Sequence, residues 1–346
     1  MADRRVDAFS GRVVLVAPER LAAARVDPDP GAGLPALRGP CPFCPGNESL
    51  CGPEQARWPA RGAWRVRSVA NRWPLRLATI RGERTEAGAH EVIVDSPGHD
   101  EDLPDLPTAR LAEWLGALRD RTAAHERRAG VRAVALFRNR GRRAGSSQPH
   151  PHSQLVALPF VPPDVGRRAA LARAAWNEHG RSLLALELER ARDDGRVVLA
   201  SKTAIAWAPH APQQSDAVLV GPRPGSAADR PWSALAGGAL RGVASVLGDT
   251  LRRLLHVTRN PDYNVVWHLP PTEHARRPWA FWLIELVPRR AAGAGFELVT
   301  GMGLVVRTPE QTAAALRDAA PRAGRRRTGR VGQGAHTRRL APGPRA

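Results

Sequence analysis

The chain contains very little lysine and very little cysteine. Lys202 is its only lysine, and it has three cysteines in 346 residues. Three cysteines cannot build a disulfide framework, which excludes the small disulfide-rich scaffolds of secreted proteins. Two of the three lie close together in one motif, so Cys51 is expected to be a free thiol. Because arginine has replaced lysine almost everywhere, the positive charge indicates a coding bias rather than selection for phosphate contacts.

Long apolar runs are also missing. No stretch of about 18 apolar residues, the length that a transmembrane helix needs, occurs in the chain, and residues 1–5 lack the apolar core of a signal peptide. We therefore expect no membrane partner and a cytoplasmic location. A chain of 346 residues with 42% hydrophobic residues can build two core-forming units.

Acidic residues are absent from the C-terminal end. Residues 322–346 hold eight arginines in a Gly-, Pro- and Ala-rich stretch without apolar periodicity, which predicts a disordered basic tail. Without these eight charges the net charge falls from +19 to +11. The remaining charge suits any anionic substrate. We do not expect a nucleic-acid function, because the tail and the arginine bias account for much of the charge.

The most informative motif is His150-Pro151-His152-Ser153-Gln154, which follows the turn Gly145-Ser146-Ser147 and precedes an apolar run. Alternate side chains of a strand share one face, so the two histidines and Gln154 are expected to project the same way. That face would carry a nucleophile or ligand pair and a hydrogen-bonding amide. Pro151 favours an edge strand or a strand start. The alternative is a polar loop with solvated histidines.

A second motif, Cys41-Pro42-Phe43-Cys44, places two thiols where they can bind one tetrahedral metal. The alternatives are two unremarkable thiols or a redox pair. A redox pair would require a helix after the first cysteine, whereas the following Pro45-Gly46-Asn47 favours a loop. Two more ligands are needed, and the candidates are His99 and His150. His152 then remains available for chemistry.

Hydrophobic periodicity predicts a strand, helix, strand, strand order that occurs twice. The second copy has Phe281-Trp282-Leu283 where the first has His-Pro-His, so catalysis is expected in the first half. In the first half we predict strands at 12–17, 64–69, 91–94, 131–138 and 154–158, and a helix at 108–127 with Thr108 as its N-cap. In the second half we predict strands at 217–220, 263–268 and 281–286, and a helix at 235–254.

Taken together, the motifs resemble the galactose-1-phosphate uridylyltransferase family, the transferase branch of the histidine triad superfamily. The resemblance spans roughly residues 10–320 and is carried by 41–48, 90–94 with His99, 137–141 through Gly145, 150–154, and Gly295-Phe296-Glu297. It implies an α+β fold of duplicated histidine-triad-like units, each a mostly antiparallel sheet with a packed helix. The implied parts are a catalytic half at 1–160, a half without catalytic histidines at 161–321, and the tail at 322–346.

The resemblance implies a ping-pong nucleotidyltransferase of galactose metabolism. His152 would attack a nucleotide sugar and release a sugar 1-phosphate, since a neutral imidazole is nucleophilic near pH 7 and leaves readily. The backbone carbonyl of His150 would hold its other N–H, and Gln154 would donate to the phosphoryl oxygen. UDP-glucose and galactose 1-phosphate are the leading substrates. The alternatives are an adenylyl- or guanylyl-transferring relative, a nucleotide-sugar phosphorylase, and a catalytically silent nucleotide-binding protein.

The same resemblance assigns substrate contacts. Arg20 would approach the diphosphate, for which a guanidinium has suitable geometry, and Asn71 would contact the nucleoside. Phe296 and Glu297, which lie in the C-terminal half, would contact sugar hydroxyls. They would do so within one chain or across the interface of a homodimer. The remaining phosphate and ribose contacts are expected from Asn139, Gly145, Ser146 and Ser147.

One structural zinc is expected, with Cys41, Cys44, His99 and His150 as its ligands. Family members often hold a second metal on a histidine pair of the C-terminal strand. Here Phe281 and Leu283 occupy the paired positions, and His268 is what remains of that ligand set. We therefore expect the second metal site to be absent and replaced by packing.

Overall fold

The computed structural model describes residues 2–20, 39–75, 88–259, 262–289 and 295–319. These ranges contain thirteen strands: β1 Asp3–Val6, β2 Val13–Val16, β3 Glu54–Trp58, β4 Val66–Ala70, β5 Ala89–Val94, β6 Ala133–Arg140, β7 His152–Leu158, β8 Val197–Ala200, β9 Ala204–Trp207, β10 Val218–Pro222, β11 Tyr263–His268, β12 Leu283–Pro288 and β13 Gly303–Val305. They also contain six α-helices: α1 Thr108–Glu126, α2 Pro163–His179, α3 Leu183–Asp193, α4 Gly237–Thr258, α5 Gly295–Thr300 and α6 Pro309–Asp318. The predicted tail at 322–346 lies outside the described residues.

Ten strands form one sheet in the order β3-β4-β5-β7-β6-β11-β12-β10-β9-β8, and each neighbouring pair is antiparallel. The strand order is the same when read inward from either edge: β3-β4-β5-β7-β6 from one side and β8-β9-β10-β12-β11 from the other. The two series meet at the pair of β6 and β11, which we call the β6–β11 seam. Helix α1 connects β5 to β6, and α4 connects β10 to β11. The predicted fold class, a mixed α+β fold with repeated strand, helix, strand, strand order, is confirmed. Strands β1, β2 and β13 form a separate small sheet.

Helices α1 and α4 pack against each other and against one face of the large sheet. Their apolar residues recur at helical spacing, so Leu111, Trp114 and Leu115 of α1 and Leu247 of α4 are buried in one cluster. Each such side chain contributes about 1.5–3 kcal/mol through burial. Ile93 of β5 belongs to this helix-side cluster.

The other face of the sheet carries a smaller apolar cluster. Val92 and Val94, which flank Ile93, pack there with Phe43, as expected from the alternation of side chains along a strand. Val92 pairs with Gln154 and Val94 pairs with His152 across β5 and β7. The side chains of His152 and Gln154 therefore lie on the face away from α1 and α4.

One local prediction was wrong. Helix α1 begins at Thr108, but its N-cap is Pro107, and no side chain caps it, because the fixed backbone of proline already sets the extended entry to the helix.

Of the two alternatives for Pro151, an edge strand or a strand start, the strand start is confirmed, and β7 lies inside the sheet between β5 and β6. Pro151 precedes its first residue, so the missing donor costs the ladder nothing. No described helix has the length and hydropathy that a membrane crossing requires.

Candidate active site

His152 is the first residue of β7, and its orientation is fixed by one backbone contact. Its Nδ1 lies 2.9 Å from the carbonyl oxygen of His150, so Nδ1–H donates and Nε2 keeps its lone pair. The imidazole is buried. Burial lowers its pKa, outweighing the hydrogen bond to His150, which acts in the opposite direction. His152 is therefore neutral at physiological pH, as a nucleophile must be.

A buried polar network supports the strand that carries His152. Asp95 accepts from Ser153 Oγ and from Trp114 Nε1, each at 2.8 Å. Its second oxygen accepts from Arg138 Nε, also at 2.8 Å. The Arg138 guanidinium is fully buried, and it also donates to Asp102 at 2.7 Å. Because each charged group here has a partner, the network fixes β7 relative to β6 and α1 without an unpaired buried charge.

Four side chains from distant parts of the sequence form a compact donor cluster: Cys41, Cys44, His99 and His150, whose ligand atoms lie within 4.8 Å of one another. Cys44 Sγ lies 3.3 Å from His99 Nδ1, and both sulfurs lie 3.6 Å from His150 Nδ1. In a tetrahedral zinc site with bonds of about 2.0–2.3 Å, neighbouring donors lie about 3.3–3.8 Å apart. The donor set and spacing thus fit zinc. Burial, and then the neighbouring Cys41, raise the pKa of the Cys44 thiol to about 11.

His150 connects this cluster to His152. Its Nε2 lies 2.8 Å from the carbonyl oxygen of Ser96, so Nε2–H donates and Nδ1 faces the cysteines as a ligand should. Its carbonyl oxygen meanwhile accepts from His152. His150 precedes β7, and Phe43 contacts both imidazoles, with ring centroids 6.0 Å from His150 and 5.4 Å from His152. The two histidines therefore lie on the same side of the sheet, as expected from the motif.

A cavity of about 150 Å³ opens beside His152 and Gln154. Its walls come from the loop after Cys41, from β4 and β5, and from the loop that ends at β7. Phe43 packs against His152, with ring centroids 5.4 Å apart. Trp73 is 78% exposed, and the guanidinium of Arg72 lies over its ring. The lining also includes Leu50, Cys51, Gly52, Asn71, Ser147 and Gln148.

The loop between β6 and β7 is shaped by glycines and by the second half. Gly141 has a φ of +86°, and a Cβ there would lie 1.9 Å from Asp262 Oδ1, so no other residue fits. Asp262 accepts from the backbone N–H of Arg143 at 2.9 Å. Asn264 of β11 donates to Asn139 Oδ1 at 2.8 Å and to the Ala144 carbonyl at 2.9 Å. The conformation of the loop that leads to His152 thus depends on contacts with the second half of the chain.

The predicted substrate contacts fall into three groups, and only the first lines the cavity around His152. Asn71 and Ser147 line the cavity, and Asn139, Gly145 and Ser146 belong to the end of β6 and the adjoining loop, where Asn139 approaches the Gly145 carbonyl at 3.5 Å. Arg20 is exposed in a short 3-10 turn, and Phe296 and Glu297 lie on α5. None of these last three lines the cavity around His152.

Sequence reasoning assigned no role to several residues that contact the site. His90 lies 2.9 Å from Gln154 Oε1 through its Nε2, and Trp73 and Cys51 line the cavity. Strand alternation places His90 on the same face as Val92, but only the register between β5 and β7 brings that face to Gln154. For Trp73, the available signal was an aromatic residue two positions after Asn71, the predicted nucleoside contact.

The corresponding place in the second half has different chemistry. Leu283 starts β12 and is buried, and Phe281 packs beside it in the same cluster. His268 Nε2 lies 2.7 Å from Glu285 Oε2. Burial of Glu285 is outweighed by His268, which lowers the pKa of that carboxyl. Among the described residues, the cluster around Cys41 is the only Cys/His/Asp/Glu group close enough to hold a metal.

Known proteins are similar to this chain, some over a short segment and some over most of its length. Residues 81–162 match the family model described as galactose-1-phosphate uridyl transferase, N-terminal domain. ADP-glucose phosphorylase of Arabidopsis thaliana is 26% identical over 292 residues, covering 80% of this chain and 81% of that protein. Galactose-1-phosphate uridylyltransferase of Thermotoga maritima is 30% identical over 122 residues, covering 35% and 38%. A crystal structure of an Arabidopsis thaliana ADP-glucose phosphorylase with bound ADP-glucose superposes with a TM-score of 0.80 at 26% identity, covering 92% of this chain and 99% of that one.

Proposed function

Because the chain belongs to the galactose-1-phosphate uridylyltransferase family, we propose that it transfers a nucleotidyl group through a covalent intermediate on His152. The family prediction made from the motifs is confirmed. The phosphorylase and the uridylyltransferase relatives are both nucleotidyl-transferring enzymes. The observation that carries the proposal is the hydrogen bond between His152 Nδ1 and the His150 carbonyl, because it leaves Nε2 as a neutral nucleophile beside the cavity.

In the first step, Nε2 attacks the α-phosphorus of a nucleoside diphosphate sugar. A P–N bond forms, the P–O bond to the sugar phosphate breaks, and a sugar 1-phosphate leaves. The imidazole ring gains positive charge, which its Nδ1–H shares with the His150 carbonyl. In the second step, an acceptor phosphate oxygen attacks the same phosphorus, the P–N bond breaks, and neutral His152 is restored. Gln154 stabilises the phosphoryl oxygens in both steps.

The donor that we favour is an ADP-sugar, with inorganic phosphate as acceptor and ADP as product. The support is the degree of structural likeness: the ADP-glucose phosphorylase superposes with a TM-score of 0.80, whereas a uridylyltransferase structure that covers the same 92% of the chain superposes with a TM-score of 0.70. This choice reverses the order expected from the motifs. UDP-glucose with galactose 1-phosphate is the second candidate, favoured by the family model that matches residues 81–162.

A zinc ion on Cys41, Cys44, His99 and His150 would serve a structural purpose. It would supply a rigid attachment for His150, whose carbonyl holds the nucleophile. The chemistry itself is assigned to His152 and Gln154. Asn71 and Ser147 are proposed nucleotide contacts because they line the cavity. Arg20, Phe296 and Glu297 remain predictions from the family resemblance.

The proposal is tested by mixing the protein with ADP-glucose, UDP-glucose or GDP-mannose in the absence of an acceptor. Intact mass under non-acidic conditions should show one nucleotidyl adduct per active chain, since a phosphoramidate is acid-labile. The released sugar 1-phosphate should appear in equal amount. The donor that labels fastest identifies the nucleotide, and ADP-glucose is expected to lead. Adding phosphate should then discharge the adduct as ADP.

Each outcome of this experiment has a consequence. Labelling by UDP-glucose alone, with discharge by galactose 1-phosphate, would replace the ADP-sugar assignment by the second candidate. Turnover without any adduct would exclude the covalent route. Neither labelling nor turnover with a wider nucleotide panel would leave a nucleotide-binding protein without catalysis.

A further inference from the structure

The amide of Gln154 must present its N–H end to the phosphoryl group, but an amide can rotate and present its oxygen instead. Strand register places a candidate for fixing it. Gln154 pairs with Val92, and His90 lies two residues further along β5 on the same face, diagonally opposite Gln154. His90 Nε2 lies 2.9 Å from Gln154 Oε1.

The tautomer of His90 follows from its other contacts. The backbone N–H of Leu75 donates to His90 Nδ1 at 3.2 Å. The Asn71 amide nitrogen lies 3.4 Å from Nδ1 and 3.1 Å from Nε2, so it does not distinguish the two ring nitrogens. Because the Leu75 N–H donates to Nδ1, that nitrogen is the acceptor and Nε2 carries the proton. Nε2–H can then donate only to an oxygen, which fixes the amide oxygen of Gln154 toward His90.

From this geometry we infer that His90 is a positioning residue that holds Gln154 with its NH₂ group available to the cavity. The inference rests on the proposed function, since it concerns the donor to the transferred phosphoryl group. The amide oxygen is engaged by His90, so the opposite end of the group is directed away from it. Gln154 itself lines the cavity with His152. An unfixed amide would spend part of its time with oxygen facing the phosphoryl oxygens, which repels them.

His90 also connects Gln154 to the segment expected to contact the nucleoside. Leu75 donates to it, and the Asn71 amide contacts its ring. Between these two residues lies Trp73, whose backbone N–H donates to Asn71 Oδ1 at 2.9 Å. Asn71 and Trp73 line the same cavity as Gln154. The nucleoside-side segment and the phosphoryl donor therefore share one histidine. This arrangement predicts that changes at His90 act on the chemical step more than on binding.

The test is a double-mutant cycle on the rate of adduct formation with the preferred donor. His90→Phe keeps the ring size but removes the donor, and it should slow the step by about tenfold, the value of one neutral hydrogen bond. Gln154→Ala should slow it by about 10²–10³-fold. Because His90 acts through Gln154, adding His90→Phe to Gln154→Ala should cause less than about a twofold further loss.

Two further variants separate positioning from folding. His90→Gln puts an amide N–H near the place of Nε2–H and should restore the rate to within about threefold of the wild type. His179→Phe, the same substitution at an exposed site on α2, should leave the rate unchanged. In His90→Phe, the KM for the donor should change by less than about threefold while kcat falls.

The outcomes are distinct. Losses that multiply in the double variant, or a His90→Phe enzyme whose loss is entirely in KM, would overturn the positioning role while leaving the covalent mechanism in place. Failure of His90→Gln to restore the rate, with unchanged melting temperature, would overturn it as well. A wild-type protein that forms no adduct would overturn the proposed function, and the role of His90 with it.

Discussion

Strands β7 and β12 occupy equivalent places in two copies of the same strand order, yet their contents differ. At the start of β7, His152 is held by a carbonyl and faces a cavity lined by polar groups. At the start of β12, Leu283 packs into an apolar cluster, and the nearby His268 bonds to Glu285. The backbone framework is shared, so the fold alone does not make an active site. The difference comes from the side chains at the start of one strand.

The comparison also shows what each half contributes. The first half holds the donor cluster and His152, the proposed nucleophile, while the second half supplies Asn264 and Asp262 to the loop between β6 and β7. Tyr263 of β11 donates to Asp102 at 2.8 Å, and Arg138 donates to Tyr263 at 3.0 Å. The second half is thus expected to support catalysis without performing it.

The largest expected effect comes from replacing His152 or His268, the two histidines compared above, with asparagine. His152→Asn should abolish adduct formation, a loss of at least about 10⁴-fold, because the nucleophile is gone. His268→Asn should leave the rate within about threefold, although it removes the partner of Glu285 and should lower the melting temperature. Intact mass and thermal unfolding measure the two effects. A full adduct on His152→Asn would contradict the assignment of the nucleophile, and loss of the adduct in His268→Asn would give the second half a catalytic part.

The next effect concerns metal. Purified protein should contain about one zinc per chain, as a four-ligand structural site requires. Cys41→Ser should lose that metal and lower the unfolding midpoint by about 10 °C or more, because ligand binding and folding are coupled. Cys51→Ser is the matched control and should keep its zinc, since Cys51 lies outside the donor cluster.

Metal analysis of the same protein tests the comparison between halves. A second tightly bound equivalent would contradict the expectation that packing replaces a metal at Phe281 and Leu283. Metal-free protein with undiminished stability would remove the zinc assignment for the first half.

The smallest effect is on pH dependence. Burial lowers the pKa of His152, and the reactive form is neutral. The rate of adduct formation should therefore be constant above pH 7 and fall with an apparent pKa below about 6.5, the ordinary value for histidine. Stopped-flow or quench kinetics from pH 5 to 8, with zinc content measured at each pH, would show this. An apparent pKa above 7 in zinc-loaded protein would contradict a buried neutral nucleophile, and a shift in His268→Asn would implicate the second half.

Much of this arrangement could be predicted from the sequence because its signals are local. Alternating apolar residues gave β11 with its observed bounds and most of β5, and helical spacing gave α1 and α4. The Cys-Pro-Phe-Cys motif with His99 and His150 gave the donor cluster. Strands β1, β3, β8, β9 and β13 were missed, since short strands at or next to a sheet edge have weak periodicity and depend on their partners.

The contacts between distant segments could not be predicted in the same way. Nothing near His90 indicates Gln154, because their contact depends on the register between β5 and β7. The place of His150 outside β7 likewise depends on where the strand begins, and strand ends are set by tertiary pairing rather than by local preference. The side of the sheet on which Asn264 reaches Asn139 follows from the β6–β11 seam.

The β6–β11 seam determines what happens when the protein is cut into its two halves. Tyr263 to Val266 pair with Arg140 to Phe137, so the two copies share backbone hydrogen bonds along adjoining strands. A fragment cut between the halves would present β6 as a long open edge, which favours self-association. The second copy is held against the first by strand pairing and by the loop contacts of Asn264 and Asp262. The two copies are therefore expected to unfold together rather than as independent units.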